Sequence, residues 1–255
     1  MARLTFPRIV RRINRLLIAF LRPDFLRRLY LRYAYANYEP YESKLFAAMI
    51  HSGSVVLDIG AGWGHYSVIA SRIAGRTGKV YAFEPDPVAF RALLANVRDS
   101  GSRNVMAFPL AIGNEDATKP LWISGVIGGQ SIYSKRGQKA TYVRCVKLDR
   151  FLRDQLVDVV KMDIDGGELY ALEGMESILQ RNRRLVLIME FASKLQRESG
   201  RDPQDLIRFL HNQGFVICLI DERRRALVQT CSGSIGGNIL CFRQDPYAKT
   251  GELLG

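Results

Sequence analysis

The sequence predicts an α/β fold with a doubly wound sheet, and two stretches carry that prediction. In the first, the apolar run Val55-Val56-Leu57-Asp58-Ile59 ends in Gly60, Gly62 and Gly64. Apolar residues at helical spacing (Tyr66, Val68, Ile69, Ile73) follow at once. A short apolar run bounded by turn signals reads as a buried strand. Strand, glycine turn and helix together open a nucleotide-binding βαβ unit. In the second stretch, a strand over residues 157–163 ends at Asp163, and Gly166 and Gly167 turn the chain. Glu168 then opens a helix with Leu169, Leu172, Met175, Ile178 and Leu179 on one stripe. Strands that alternate with helices build a parallel sheet.

The totals bound the rest. A chain of 255 residues holds one domain with an appendage. It has no run of eighteen apolar residues that would cross a membrane. Cys145, Cys218, Cys231 and Cys241 include no CxxC pair, which fits a reducing, cytoplasmic compartment. The three histidines lack metal-ligand spacing. The net charge of +12 is uneven: residues 1–33 hold nine arginines and one acid, Asp24, so 9 − 1 = +8 lies there and 12 − 8 = +4 elsewhere.

In chain order, residues 7–22 read as an amphipathic helix, with Ile9, Val10, Ile13, Leu16, Leu17, Phe20 and Leu21 on one side. Pro23 ends it and starts a second helix, with Phe25, Leu26, Leu29, Tyr30 and Tyr33 as its stripe. The stripes pack on the body or on a second subunit, or else they lie on an anionic membrane surface. Packing at a subunit interface is the favoured reading. A cleaved targeting peptide fits poorly, because serine and a small-residue cleavage site are missing. A helix over 43–50, the strand at 55–59, a helix over 65–74, a strand at 79–83 and a helix from Pro87 follow. Residues 104–109 read as the third strand.

Residues 115–149 break the alternation. An edge strand at 121–124, a glycine-rich run at 125–133 and a strand at 141–148 form an insert beside the cleft. It is expected to carry acceptor contacts at Gln130, Ser131 and Tyr133, although a plain surface hairpin would look the same. Strands at 184–191, 215–220 and 238–242 complete the sheet. A helix capped by Asp202 and ended by Gly214 lies between the first two.

The glycine spacing is selective for its ligand. A dinucleotide site wants a third glycine five residues after the first. That place is His65, so NAD fits poorly. The second strand ends in Glu84, 24 residues after Gly60, where a carboxylate accepts both ribose hydroxyls of an adenosine. Asp58-x-Gly60-x-Gly62-x-Gly64 followed by Glu84-Pro85-Asp86-Pro87 resembles the S-adenosylmethionine (SAM) methyltransferases of the seven-stranded class. The resemblance implies a Rossmann-like sheet of seven strands with a reversed final hairpin. It implies cofactor contacts from Asp58, Gly60, Gly62, Gly64, Glu84, Asp86 and Ala111.

A narrower resemblance rests on three segments in order. These are Glu84-Pro85-Asp86-Pro87, then Val146-Lys147-Leu148-Asp149-Arg150-Phe151-Leu152, then Lys161-Met162-Asp163-Ile164-Asp165-Gly166-Gly167-Glu168. Together they resemble the FkbM-type methyltransferases, with their K-x-D-x-[ED]-G-x-E motif, across residues 38–242. Asp165 stands where Glu is commoner and Gly167 where Ala is commoner. The resemblance implies O-methylation of a small-molecule, sugar or glycolipid hydroxyl, with no nucleic acid partner. A SAM-binding or membrane-associated module without turnover is the rival reading. The division is residues 1–37 as a basic helical extension, 38–245 as the methyltransferase domain and 246–255 as a tail. A homo-oligomer and peripheral membrane contact through residues 1–33 are both allowed.

An alcohol is a poor nucleophile, so its proton must be taken or weakened during transfer. Asp163, Glu168 and Glu190 sit where a doubly wound fold places such groups. The direct-base route and a metal-assisted route both stay open, with Asp163 and Glu190 as the oxygen ligands a hard divalent cation would use.

Overall fold

A computed structural model describes residues 40–123, 130–135, 138–230 and 236–243. The expected basic helices over residues 7–33, the glycines at 125–129, Cys231 and the 246–255 tail lie outside them. The strands are β1 Val55–Ile59, β2 Lys79–Phe83, β3 Val105–Phe108, β4 Leu110–Ile112, β5 Ala117–Ile123, β6 Gln130–Ser131, β7 Gln138–Val146, β8 Val159–Met162, β9 Val186–Ala192, β10 Val216–Asp221, β11 Ala226–Gln229 and β12 Gly236–Phe242. The helices are α1 Pro40–Ala48, α2 His65–Ala74, α3 Pro87–Asp99, α4 Leu148–Leu152, α5 Glu168–Glu173, α6 Glu176–Arg181, α7 Ser193–Glu198 and α8 Pro203–Asn212. Among the described residues no helix is long and apolar enough to cross a membrane.

The main sheet runs β11-β10-β12-β9-β8-β1-β2-β3. Its central strands are parallel, and β12 is antiparallel to both β9 and β10. Seven of these strands make the expected doubly wound sheet with a reversed hairpin. The eighth corrects the count: Ala226–Gln229 pairs antiparallel to β10 across a tight turn. Arg225 takes φ 53 there, a conformation its sequence does not advertise. A second sheet, β4-β7-β5-β6, holds the insert, which is larger than the expected pair of short strands.

Each central strand is buried on both faces, which is why its sequence is continuously apolar rather than alternating. One face carries Val56, Val80, Val159, Val186, Ile188 and Leu240 against α1 and α2. The other carries Leu57, Val160, Met162, Leu187 and Met189 against α4, α5, α6 and α8.

Three expectations are corrected locally. The strand predicted to reach residue 148 ends at Val146, and α4 begins at Leu148. The Asp149 carboxylate accepts from the amides of Ser177 and Ile178, both at 2.9 Å, so this acid caps α6. The long helix predicted from Glu168 is split at Gly174 and Met175. A Cβ on Gly174 would lie 1.9 Å from the Gly113 carbonyl oxygen, so the backbone passes too close to the second sheet for any side chain there. Finally, α7 was not expected. It is short and mostly polar, so it carries no apolar period to read.

Candidate functional site

The site forms where β1 and β8 lie side by side with β2 on the outer flank of β1, the reversal point of the strand order. Ligands of open α/β sheets bind outside the strand ends at such a point. The amides of Gly60 and Ala61 both donate to the Phe83 carbonyl, at 2.9 and 3.0 Å, which pins the turn to β2. Gly60 has φ 78, and a Cβ on it would lie 2.0 Å from the Asp163 carbonyl oxygen. Gly62 differs: it has φ 54, but nothing lies within 4 Å of where its Cβ would stand. The Gly64 amide closes the turn onto Ala61 O at 2.8 Å, and Gly64 is the residue from which α2 starts.

Glu84 faces this turn. Its carboxylate accepts from the Gly62 amide and from the Asp86 amide, both at 2.8 Å. Burial pushes its pKa up to about 8, against the pull of those two amides. Asp86 caps α3 through the Val88 amide at 3.1 Å and accepts from the Gln130 side chain at 3.1 Å. Asp58 is buried beneath the turn and accepts from the Ser67 hydroxyl at 2.5 Å. Burial raises its pKa to about 6. Its visible contact therefore braces β1 to α2. Ala111 packs its side chain in the core of the second sheet with Leu121, Ile123, Val143 and Cys145.

Asp163 and Glu190 stand together. The β8–β9 register pairs Met162 with Met189, so the next residues of the two strands are neighbours on the same face. Asp163 beside it, and then burial, push Glu190 well above the ordinary carboxylate range. Asn238 of β12 lies opposite Glu190 and extends the polar row by one strand. Sequence reading did not single out Asn238.

Glu168 does not join the row. It is buried, with one oxygen accepting from the amides of Ile164 and Gly166 at 3.3 and 3.2 Å and the other from the Gln196 side chain. Burial raises its pKa to about 7. Through these contacts the carboxylate holds the turn after β8 and ties it to α7. Asp165, at φ 51, accepts from the Gln130 amide at 3.0 Å. Gln130 thus bridges Asp86 and Asp165, at the tips of two different strands, and brings the insert over the cleft.

The two other acceptor candidates, Ser131 and Tyr133, make contacts within the insert and to α5. The Ser131 hydroxyl accepts from the amides of Tyr133 and Ser134, at 3.2 and 3.1 Å, and so shapes the turn. Tyr133 stacks on Tyr170 at 3.8 Å between ring centroids, with Lys119 4.2 Å from its centroid on the ring face. Its hydroxyl is buried and its pKa raised, first by that burial. Tyr133 therefore docks the insert on α5. Among the described residues no group of three or more His, Cys, Asp and Glu is arranged to hold a metal ion.

The residues on which the resemblance to SAM-dependent methyltransferases rests thus meet at one end of a doubly wound sheet: a glycine turn after β1, a carboxylate after β2 and acids after β8. The chain belongs to the family described as the methyltransferase FkbM domain, whose pattern it matches over residues 58–217, more than half its length. It is 44% identical over 61 residues to a probable cobalt-precorrin-6B C(15)-methyltransferase (decarboxylating) of Sulfolobus acidocaldarius, covering 24% of this chain and 32% of that one. It is 35% identical over 80 residues to a fibrillarin-like rRNA/tRNA 2'-O-methyltransferase of Pyrobaculum neutrophilum, covering 28% and 34%. The chain thus spans about a third of the length of the curated relatives it matches. A solved SAM-dependent methyltransferase of Aquifex aeolicus is similar at 18% identity, with a TM-score of 0.44, over 78% of this chain and 87% of that one.

Glu84 gives a direct test of cofactor binding. Hydrogen bonds to a charged group run about 1.5–3 kcal/mol each. Glu84→Ala is therefore expected to weaken SAM binding at least about tenfold by calorimetry, since 1.4 kcal/mol is a factor of ten. The pH dependence has a definite sign. With a free-state pKa of about 8, Glu84 carries a proton at pH 7, and ribose hydroxyls donating to the carboxylate favour its ionised form. Binding at pH 7 should then release a proton, seen as a heat that varies with buffer ionisation enthalpy. Unchanged affinity in the variant would remove Glu84 from the site, whereas no buffer dependence would show that Glu84 is already ionised before SAM binds.

Proposed function

We propose that the chain transfers the SAM methyl group to a hydroxyl oxygen of a small-molecule or carbohydrate acceptor, with Asp163 and Glu190 as the proton-handling pair. The observation that carries this reading is the pair itself: two carboxylates at adjacent strand tips beside the glycine turn, with Glu190 raised by the charge of Asp163. Glu190 keeps its proton and donates a hydrogen bond; Asp163, nearer the turn, takes the acceptor proton. The oxygen–carbon bond forms as the carbon–sulfur bond breaks. The products are the methyl ether, S-adenosylhomocysteine and a protonated Asp163. Positioning supplies much of the rate. Gln130, held by Asp86 and Asp165, fixes the insert as one wall of the acceptor pocket.

In the same reading residues 38–245 are the methyltransferase domain, 1–37 a basic extension that packs at a subunit interface, and 246–255 a tail. The test is a methyl-transfer screen with labelled SAM over sugars, glycolipids and polyketide alcohols. RNA is included, because a ribose hydroxyl is what the Pyrobaculum relative's name specifies. Label recovered in an ether of a small molecule or carbohydrate supports the reading, and label on an RNA ribose alone overturns its acceptor class. Label on carbon or nitrogen overturns it, and so does SAM binding without turnover on any hydroxyl.

A further inference from the structure

The strand that delivers Asp163 carries a charge where its neighbours are apolar. Lys161 lies between Val160 and Met162 in β8 and is 1% exposed. Its Nζ is 3.1 Å from Glu42 Oε1 on α1, which is itself fully buried. The same oxygen accepts from the Tyr66 hydroxyl at 2.7 Å, and Nζ lies 5.0 Å from the centroid of the Tyr66 ring. Register places Lys161 opposite Asp58 of β1, on the sheet face that α1 and α2 cover. Asp163 is two residues further along, on that same face and about 7 Å up the strand.

A buried ammonium costs several kcal/mol of hydration, so a strand keeps one only where several anions answer it. Four carboxyl groups are arranged around Lys161. Glu42 stands over it from α1, Asp58 beside it on β1, Asp163 at its own strand tip and Glu190 on β9. The other titratable groups packed about this layer are Tyr41 on α1, His65 and Tyr66 on α2 and Cys218 on β10, with Asp165 and Glu168 close to Glu190. Burial lowers His65 to about 4, so it adds no second cation at neutral pH. Lys161 also lowers both Asp58 and Glu190, against the burial and acidic neighbours that raise them. The turn of helix α1 that carries Glu42 is also held through its backbone. The Glu222 carboxylate accepts from the amides of Tyr41 and Glu42, at 3.0 and 2.6 Å.

We propose that Lys161 is a positioning residue for methyl transfer, clamped by Glu42 of α1 and holding the Asp163–Glu190 pair and the Asp58 brace of the glycine turn from beneath. The proposal rests on the reading of Asp163 and Glu190 as the proton-handling pair. It makes α1 part of the catalytic apparatus, joined to it through the Lys161–Glu42 ion pair.

The experiment is a carboxyl carbon NMR titration of Glu190 in the full chain, run on wild type, Lys161→Met and Glu42→Gln. An opposite charge within reach moves a carboxyl by about 1–3 units. Lys161→Met should therefore move the Glu190 midpoint up by about one unit or more. Glu42→Gln frees the ammonium for the other carboxylates and should move it down. A role in packing alone would leave both midpoints in place or carry both the same way with a lost melting temperature, and either result overturns the proposal. If Lys161→Met does not fold, the downward shift in Glu42→Gln decides alone. With an acceptor in hand, kcat of Lys161→Met should fall at least about tenfold, with the acid limb of its pH–rate profile moved up. Opposite shifts alongside a failed hydroxyl screen would sink the acceptor reading and leave the positioning role standing.

Discussion

Asp163→Asn is expected to lower kcat by about 10²–10⁴-fold, the range a positioned acid or base contributes. The SAM dissociation constant should stay within a factor of about three. The two effects separate because Asp163 meets the glycine turn through its backbone. Its amide donates to Ile59 O at 3.0 Å, and its carbonyl packs on Gly60; neither contact uses the carboxylate. Glu190→Gln should cost less, because an amide imitates the protonated acid that Asp163 makes of Glu190. Removing Asp163 also removes the charge that raises Glu190. Glu190 itself should then titrate lower than in wild type, and the residual activity of Asp163→Asn, with Glu190 acting as base, should rise with pH through that lowered midpoint. Single-turnover rates across pH 5–9 measure both effects. On the direct-base route a chelator leaves the wild-type rate unchanged. A chelator-dependent rate restored by Mg²⁺ would show that a cation, not a bare carboxylate, weakens the hydroxyl proton. A kcat for Asp163→Asn within a few-fold of wild type would sink the assignment.

What the sequence disclosed about this site follows from which forces leave a local trace. The order of β1, α2, β2 and α3 was legible because each has an apolar run and its own punctuation: glycines at 60, 62 and 64, and Pro87 after the Asp86 cap. Glu84 was legible by its distance from Gly60. The roles of Glu168 and Asp149 were not. Each carboxylate accepts from backbone amides of its own turn or of a helix 28 or 29 residues away, and a sequence shows the acid without its partners. Tyr133 looked like an acceptor contact for the same reason: its stacking on Tyr170 is a tertiary fact. Lys161 did leave a signal, a charge in the interior of an apolar strand. Its partner Glu42 lies 119 positions earlier, so only the packed helix explains it.

Gly60→Ala is expected to have the larger structural effect of the glycine substitutions, and Gly62→Ala supplies the control. Both residues have positive φ, which costs an alanine about 1–2 kcal/mol. Beyond that they part. The Cβ at Gly60 would lie 2.0 Å from Asp163 O and 2.8 Å from Ile164 Cγ2. The obstructing oxygen is backbone. It cannot step aside without disturbing the bond from Asp163 N to Ile59 O and the pair of bonds from the turn to Phe83 O. A total of about 3–4 kcal/mol is reasonable for an alanine forced into such a contact. At about 2–4 °C per kcal/mol for a domain of this size, the melting temperature should fall by roughly 10 °C. The movement separates Asp163 from the turn, so SAM affinity should fall with it, by about a hundredfold. Around Gly62 the space is open, and the open side is where a cofactor would approach the bare backbone. Gly62→Ala should therefore lower SAM affinity while shifting the melting temperature by no more than about 2–8 °C, the share of the φ cost alone. Thermal scans with and without SAM read both quantities from the same samples. If the two variants lose stability equally, the close approach of β1 and β8 at Gly60 is not what fixes the cofactor turn.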